Sequence, residues 1–436
     1  MKHISFCWHA IAVAILLGGC AGQKQAGPRP TLFHHPVDLG GNYLGVGGFL
    51  AYCDGSVVGL EMSPASKQPF FNLPRDSAFY FFGNKGRGPG EFLWPFSIQY
   101  VGDGTVGVTD VQTSTYSEFA IPREGGTPTV GKEIEFPRGA TRVIKTAFDR
   151  YIYLSSLSEK MFSLADPVGA PIGDFIEYPY RNATERRDAS RSMAYQGTVS
   201  ANPSRTKFVY SSFFGEIIHF YSIEEGGIGE IAKIEKEHPV YKGNDDGTQG
   251  VGYGGEGIYG YVASYATDSL VYAIFDGRKM SELREGEGAG STGKLLRVFD
   301  WSGNLVKEYG LDVPCGFICV SDDDETMWAV ATESGGETVL ARFDLKNGAG
   351  SKQAANVTYK PQPKGTPYPG GAPVPETTVH KIDVRTSDNE RNRETQKVLD
   401  SIMNLPGVTL DLRSNERYDV RVDTLENSRT IVLMLK

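Results

Sequence analysis

Six short β-rich runs recur along this chain at a near-constant interval, and that recurrence restricts the fold more than any other feature. They are SVVGL (56–60), TVGVT (105–109), YIYLS (151–155), KFVYS (207–211), LVYAIF (270–275) and TMWAV (326–330). Each follows a polar turn, respectively CDG, GDG, FDR, NPSRT, ATDS and SDDDE, which is itself preceded by another apolar run such as GGFLAY, FSIQYV or GFICV. Asp, Asn and Gly supply the side-chain-bonded or left-handed conformations that tight strand connections need. Successive runs lie about 45 to 65 residues apart, the length of a four-stranded propeller blade with some long loops. Alternation in LLRVFDWSGNLVKEYGL (295–311) and EIIHFYSI (216–223) marks further strands with one face buried. The pattern predicts a six-bladed β-propeller over residues 37–348. A β-sandwich or β-helix is the alternative, but neither predicts a count of six at this period.

The remaining residues divide into segments of different character. The chain has 436 residues, more than one core usually serves unless a repeat spreads it, so a large β domain with a small companion is expected. Residues 349–375, which include KPQPKGTPYPGGAPVP, read as an extended Pro/Gly linker. A small α+β unit over residues 376–436 follows: a strand VHKIDVR, a capping box Ser387-Asp388-Asn389-Glu390 opening a helix that buries Val398, Leu399, Ile402 and Leu405, and a hairpin of YDVRVD and RTIVLML across LENS. The fold class expected is therefore all-β, a six-bladed propeller with a small C-terminal α+β unit.

At the other end, Leu17-Gly18-Gly19-Cys20 closes an apolar run that follows Lys2, the layout of a lipoprotein signal peptide over residues 1–20. Lipidation of Cys20 would hold the domain at a membrane surface, and residues 21–36 read as a tether. No Asp follows Cys20, similar to the pattern of lipoproteins sent to the outer membrane, here facing the periplasm. The net charge of −9 argues against nucleic acid as a partner.

One segment carries a family resemblance. Phe82-Gly83-Asn84-Lys85-Gly86-Arg87-Gly88-Pro89-Gly90-Glu91-Phe92, then Pro95, then a strand ending at Asp110 and then Phe119, resembles an NHL-type propeller repeat. With the late unit FDWSGNLVKEYGLD, ICVSDDDETMWAV and LARFDL, the chain is similar over residues 37–346 to the TolB-like six-bladed propeller lipoproteins. The resemblance implies a fold and assigns no chemistry.

Candidate functional residues are sparse. Arg87 and Glu91 lie in the Gly-Pro-Gly corner, where a ligand-facing loop competes with a purely structural turn. Asp245, Asp246, Tyr253, Glu256 and Tyr259 lie in a second long loop suited to lining a propeller mouth. The GVGYGG motif there matches a dinucleotide fingerprint only formally, since a loop precedes it and a strand follows. His219 reads as a wall residue, Asp322, Asp323 and Asp324 as a solvated turn, and no nucleophile elbow or metal-ligand His spacing is present. Of the cysteines beyond the signal, Cys53 either bridges to Cys315 or Cys319, or all three are small buried hydrophobes.

Two functions fit. The first is a membrane-anchored binding or scaffold module for a protein, peptide or glycan in the cell envelope, without catalytic residues or cofactor. The alternative is a hydrolase or lyase acting on a small sugar or lactone through a divalent cation in the propeller channel. The anchor gives a direct expectation: the full-length chain sediments with membranes and carries an acyl mass on residue 20, whereas Cys20→Ser stays in the soluble fraction, as fractionation and mass spectrometry would show.

Overall fold

The computed structural model describes residues 29–346, apart from 76, 89, 123–125, 156–157, 159, 189, 244–250, 283–291 and 335, together with the strands Lys381–Arg385, Tyr418–Leu425 and Ser428–Leu435. The signal peptide with Cys20, the linker, the predicted helix after Ser387, and Pro89, Asp245 and Asp246 lie outside the described residues. Backbone contacts divide the chain into two units, Met1–Ala354 and Ala355–Lys436.

The first unit is the propeller. Blade 1 comprises Gly47–Cys53, Ser56–Glu61, Phe70–Leu73 and Tyr80–Phe82; blade 2 comprises Pro95–Gly102, Thr105–Asp110, Thr115–Ala120 and Thr129–Glu135. Blade 3 is Ala140–Lys145, Tyr151–Ser155, Lys160–Ala165 and Pro171–Glu177, and blade 4 is Gly197–Ala201, Lys207–Ser212, Glu216–Glu224 and Gly227–Glu237. Each is an antiparallel meander. Blades 5 and 6 share one eight-stranded sheet, because a single 16-residue strand, Leu305–Val320, serves both. Its first half pairs with Gly293–Asp300 as the outer strand of blade 5, beside Leu270–Phe275 and Tyr261–Ala266. Its second half pairs with Thr326–Thr332 as the inner strand of blade 6, followed by Thr338–Asp344. All six β-rich runs singled out in the sequence are the second strands of blades.

Blade 6 obtains its fourth strand from the start of the described residues. His35–Pro36 pairs antiparallel with Ala341 and Arg342, while Thr31–Leu32 adds in parallel to Gly310 and Leu311 of blade 5. Val37 N–H donates to Leu340 O, Gly310 N–H to Pro30 O, and His34 Nδ1 lies 3.0 Å from Asp312 Oδ2. Residues 31–36, expected as tether, therefore close the ring. The polar and Pro-rich composition of the segment concealed this, because an edge strand of two residues has no periodicity to detect.

Aromatic side chains fill the spaces between blades. Phe92, from the Gly-Pro-Gly corner, is buried 4.9 Å from Phe70 and 5.5 Å from Phe119 between blades 1 and 2. Phe162, Phe208 and Tyr221 do the same between blades 3 and 4, and Phe220, Phe299 and Trp301 between blades 4 and 5. The turn between first and second strands holds a left-handed residue in five blades: Asp54, Asp103, Asp149, Arg205 and Asp324, with φ of 48°, 49°, 53°, 57° and 59°. Asp tolerates this conformation by bonding its own backbone, which accounts for the acidic turn signals in structural terms.

In the second unit Ser428–Leu435 is the central strand, antiparallel to Tyr418–Leu425 and parallel to Lys381–Arg385. The hairpin across 425–428 matches the sequence reading.

Leu32 is 2% exposed and packs in the core of blades 5 and 6. Leu32→Ala is expected to lower the unfolding free energy by about 2–5 kcal/mol in urea titrations. Val168→Ala, at an exposed position, should change it by less than about 0.5 kcal/mol.

Candidate functional site

Antiparallel meanders place the connections between blades, and those between second and third strands, at one end of the disc; the tight first hairpins lie at the other. The loop-rich face carries the described residues of the connections 37–46, 83–94 and 178–196, together with 238–243 and 251–260. Three of these connections present exposed apolar groups: Tyr180 on the third, and, on the first two, Tyr43 (69% exposed) with Val46 and Trp94 (48%). Buried carboxylates fix their backbones. Glu61, at the end of the second strand of blade 1, accepts from the N–H groups of Gly45, Val46 and Ser63 at 2.8, 3.1 and 2.8 Å. Asp110, its counterpart in blade 2, accepts from Leu93 and Trp94 through Oδ2 and from Gln112 and Thr113 through Oδ1, at 2.7 to 3.2 Å. The Asp of the NHL-type strand is thus a clamp that orients the exposed indole beside it.

Beneath this face the inner strands of all six blades line one narrow channel, among them Phe49, Gln99, Arg142, Ser200, Ser264 and Phe317. Arg142 stands near the start of the inner strand of blade 3, close to the loop-rich end, and is 6% exposed. Its guanidinium carbon lies 4.6, 5.5 and 5.6 Å from the ring centres of Phe96, Phe213 and Phe49, which come from blades 2, 4 and 1. Among the described residues no carboxylate pairs with it, and its buried Nε has no hydrogen-bond partner. Burial pushes its pKa down to about 10, so it remains charged at neutral pH. Gln99 Oε1 accepts from Lys145 N–H, but its buried Nε2 is also without a partner. Toward the opposite end Tyr265 Oη accepts a hydrogen bond from Tyr52 N–H, linking blades 5 and 1. At that end Asp322 is held above the usual carboxyl range by burial and by the charges of Asp54 and Asp268, so the hairpin-turn mouth is acidic.

The sequence candidates occupy other places. Glu91 folds back on its own corner, accepting from Gly88 N–H at 2.8 Å; a Cβ at Gly86 would collide with Glu91 Oε2. The corner is structural, and Arg87 projects from it into solvent. Tyr253 stacks on Phe214 at 3.9 Å and donates to Met193 O, with Tyr259 5.7 Å from the same ring. Glu256 pairs with Lys279 at 3.0 Å on the exterior. These tyrosines serve loop packing on the loop-rich face and do not converge on the channel lining. Of the two alternatives for Cys53, Cys315 and Cys319, the bridge from Cys53 is not formed and the buried-hydrophobe reading holds: all three are buried thiols in three different interblade cores. Burial raises the Cys315 and Cys319 thiols far above their ordinary range. His219 is a wall residue, with Nδ1 2.9 Å from Tyr221 Oη and Nε2 2.9 Å from Glu235 Oε1, the latter misaligned for a hydrogen bond. Asp323 accepts from Ser321 Oγ and Glu325 N–H within its own turn. Among the described residues no group of three His, Cys, Asp or Glu side chains is arranged to hold a metal.

A family model described as TolB-like 6-blade propeller-like matches residues 68–323. The chain belongs to that family. No curated protein matches the sequence of this TolB-like propeller. Among solved structures, a luciferin-regenerating enzyme aligns with TM-score 0.40 and 8% identity over 73% of this chain and 97% of its own. A gluconolactonase from Xanthomonas campestris aligns with TM-score 0.40 and 9% identity over 73% and 96%. A streptogramin B lyase aligns with TM-score 0.37 and 9% identity over 72% and 96%.

Arg142 escaped the sequence reading. The only signal was a charge within the apolar alternation of ATRVIK, and which side of an inner strand faces the axis is not visible locally. For the clamps, Asp110→Ala removes the acceptor of four backbone N–H groups and is expected to cost about 3 kcal/mol in urea unfolding. Asp110→Asn, which keeps one acceptor oxygen, should lose less.

Proposed function

We propose that this TolB-like propeller is a lipid-anchored binding module of the cell envelope, whose loop-rich face takes a protein, peptide or glycan. The observation that carries the reading is the set of exposed apolar groups at the mouth, Tyr43, Val46 and Trp94, held on backbones fixed by Glu61 and Asp110. Large aromatic groups exposed on a rigid support are what binding surfaces use, because they lose little conformational entropy on contact. Lipidation of Cys20, with the mature domain facing the periplasm at the outer membrane, would deliver that face to partners confined to the same compartment. A cation at the channel mouth also disfavours a divalent ion at the same position, since like charges in a poorly solvated site repel strongly.

The reading is tested by a photo-crosslinking side chain at position 43 or 94, with position 305 on an outer blade edge as control, in cells expressing the full chain. Adducts of defined mass at 43 and 94, absent at 305 and lost on Cys20→Ser, are expected. Adducts at all three positions, or at 305 alone, would overturn it.

A further inference from the structure

We propose that the channel beneath the loop-rich face is a site for a carboxylate borne on an apolar body, with Arg142 as its counter-ion. The inference rests on the binding reading above and names a ligand chemistry for the same mouth. A guanidinium offers five N–H donors in a planar fork that matches a carboxylate edge. That of Arg142 is withdrawn from solvent and meets neither a carboxylate nor a hydrogen-bond acceptor among the described residues. A buried charge without a partner is unfavourable and persists where something outside the chain supplies the partner. The rings of Phe96, Phe213 and Phe49 stabilise the charge through their faces but accept none of the N–H bonds.

The surroundings narrow the ligand further. The channel holds a cavity of about 40 Å³, room for roughly three water-sized spheres. That admits a carboxylate head and leaves the rest of a ligand among the phenyl rings at the mouth. Phe49 and Phe317 line the channel, so whatever follows the head gives up its water to apolar surface. A strongly hydrated dianion such as phosphate is disfavoured on that ground, and an aryl or acyl acid, or the C-terminus of an apolar peptide, is favoured. Deeper in the same channel the unpartnered amide nitrogen of Gln99 offers a second donor. Entry is one-sided: the opposite mouth carries Asp54, Asp268 and Asp322, which repel an anion, and the bond from Tyr52 N–H to Tyr265 Oη lies toward that end.

The test uses the full chain in mild detergent, with calorimetry and thermal melting against benzoate, N-acetylphenylalanine, N-acetylphenylalanine amide and inorganic phosphate. Benzoate and N-acetylphenylalanine are expected to bind and raise the melting midpoint, while the amide and phosphate do neither. Benzoate binding alone would assign a free small acid, and preference for N-acetylphenylalanine a peptide C-terminus. Arg142→Met should weaken carboxylate binding by about 30-fold or more, and the unliganded variant should melt at or above the wild-type midpoint, because a buried charge has been removed. Arg142→Lys, which keeps the charge without the fork, should bind with intermediate affinity and guards against a misfolded Met variant. The proposal is overturned if phosphate binds in preference to both carboxylates, if no carboxylate binds wild type, or if Arg142→Met binds as wild type does. It is also overturned if the unliganded Met and Lys variants both melt well below wild type with carboxylate affinity unchanged, which would make Arg142 a packing residue. Crosslinking at position 94 in the chain that keeps Arg142, set beside its carboxylate titrations, separates the two readings. Adducts without carboxylate binding sink this inference alone, and carboxylate binding without adducts sinks the docking face alone.

Discussion

The closure of the ring by residues 31–36 is the constraint on which the rest of this structure depends. A propeller has no central core; each blade buries its faces only against its two neighbours, so a gap between any two exposes two apolar sheets at once. Here Thr31–Leu32 adds to blade 5 and His35–Pro36 to blade 6, and a single strand running from Leu305 to Val320 welds those two blades together. The seam that ought to be weakest is thereby built from main-chain bonds, Gly310 N–H to Pro30 O and Val37 N–H to Leu340 O, that join opposite ends of the propeller sequence. Tyr52 and Trp328, with ring centres 5.6 Å apart and nearly parallel, complete the contact between blades 6 and 1.

A closed ring makes two further features physically tenable. Buried carboxylates can be used as backbone clamps, because Glu61 and Asp110 each receive several N–H groups that replace lost hydration. Those clamps give the exposed residues of the loop-rich face defined positions, which a mobile loop would not. The channel, in turn, can be polar at both ends with opposite sign: a guanidinium among phenyl rings on the loop side and carboxylates at the hairpin turns. The resulting field runs along the axis and selects which face an anion approaches.

Much of the fold was legible because its signals are local. Asp at the first hairpin of a blade reports a left-handed turn residue, and the Gly-rich corner with Phe92 reports an anchor between blades, so both could be read from a few consecutive residues. The corner also shows the limit of that reading: Glu91 and Tyr253, chosen as ligand-facing, are occupied with their own loops. Of the two alternatives for the cysteines, three small buried hydrophobes is the one found. Cys315 and Cys319 are close in sequence, but a register shift in the long strand sends them into different cores, and Cys53 into a third.

By itself the sequence determined the number of blades, the identity of their second strands, the chemistry of their turns and the C-terminal hairpin, since periodicity and turn preference act over a few residues. Only the tertiary structure decided that residues 31–36 are strands rather than tether, that Asp110 and Glu61 are clamps, and that Arg142 faces Phe49, Phe96 and Phe213. Those roles arise where segments from different blades meet on one axis. The direction in which an inner-strand side chain points is set by the twist and tilt of the whole blade, which no short stretch of chain encodes.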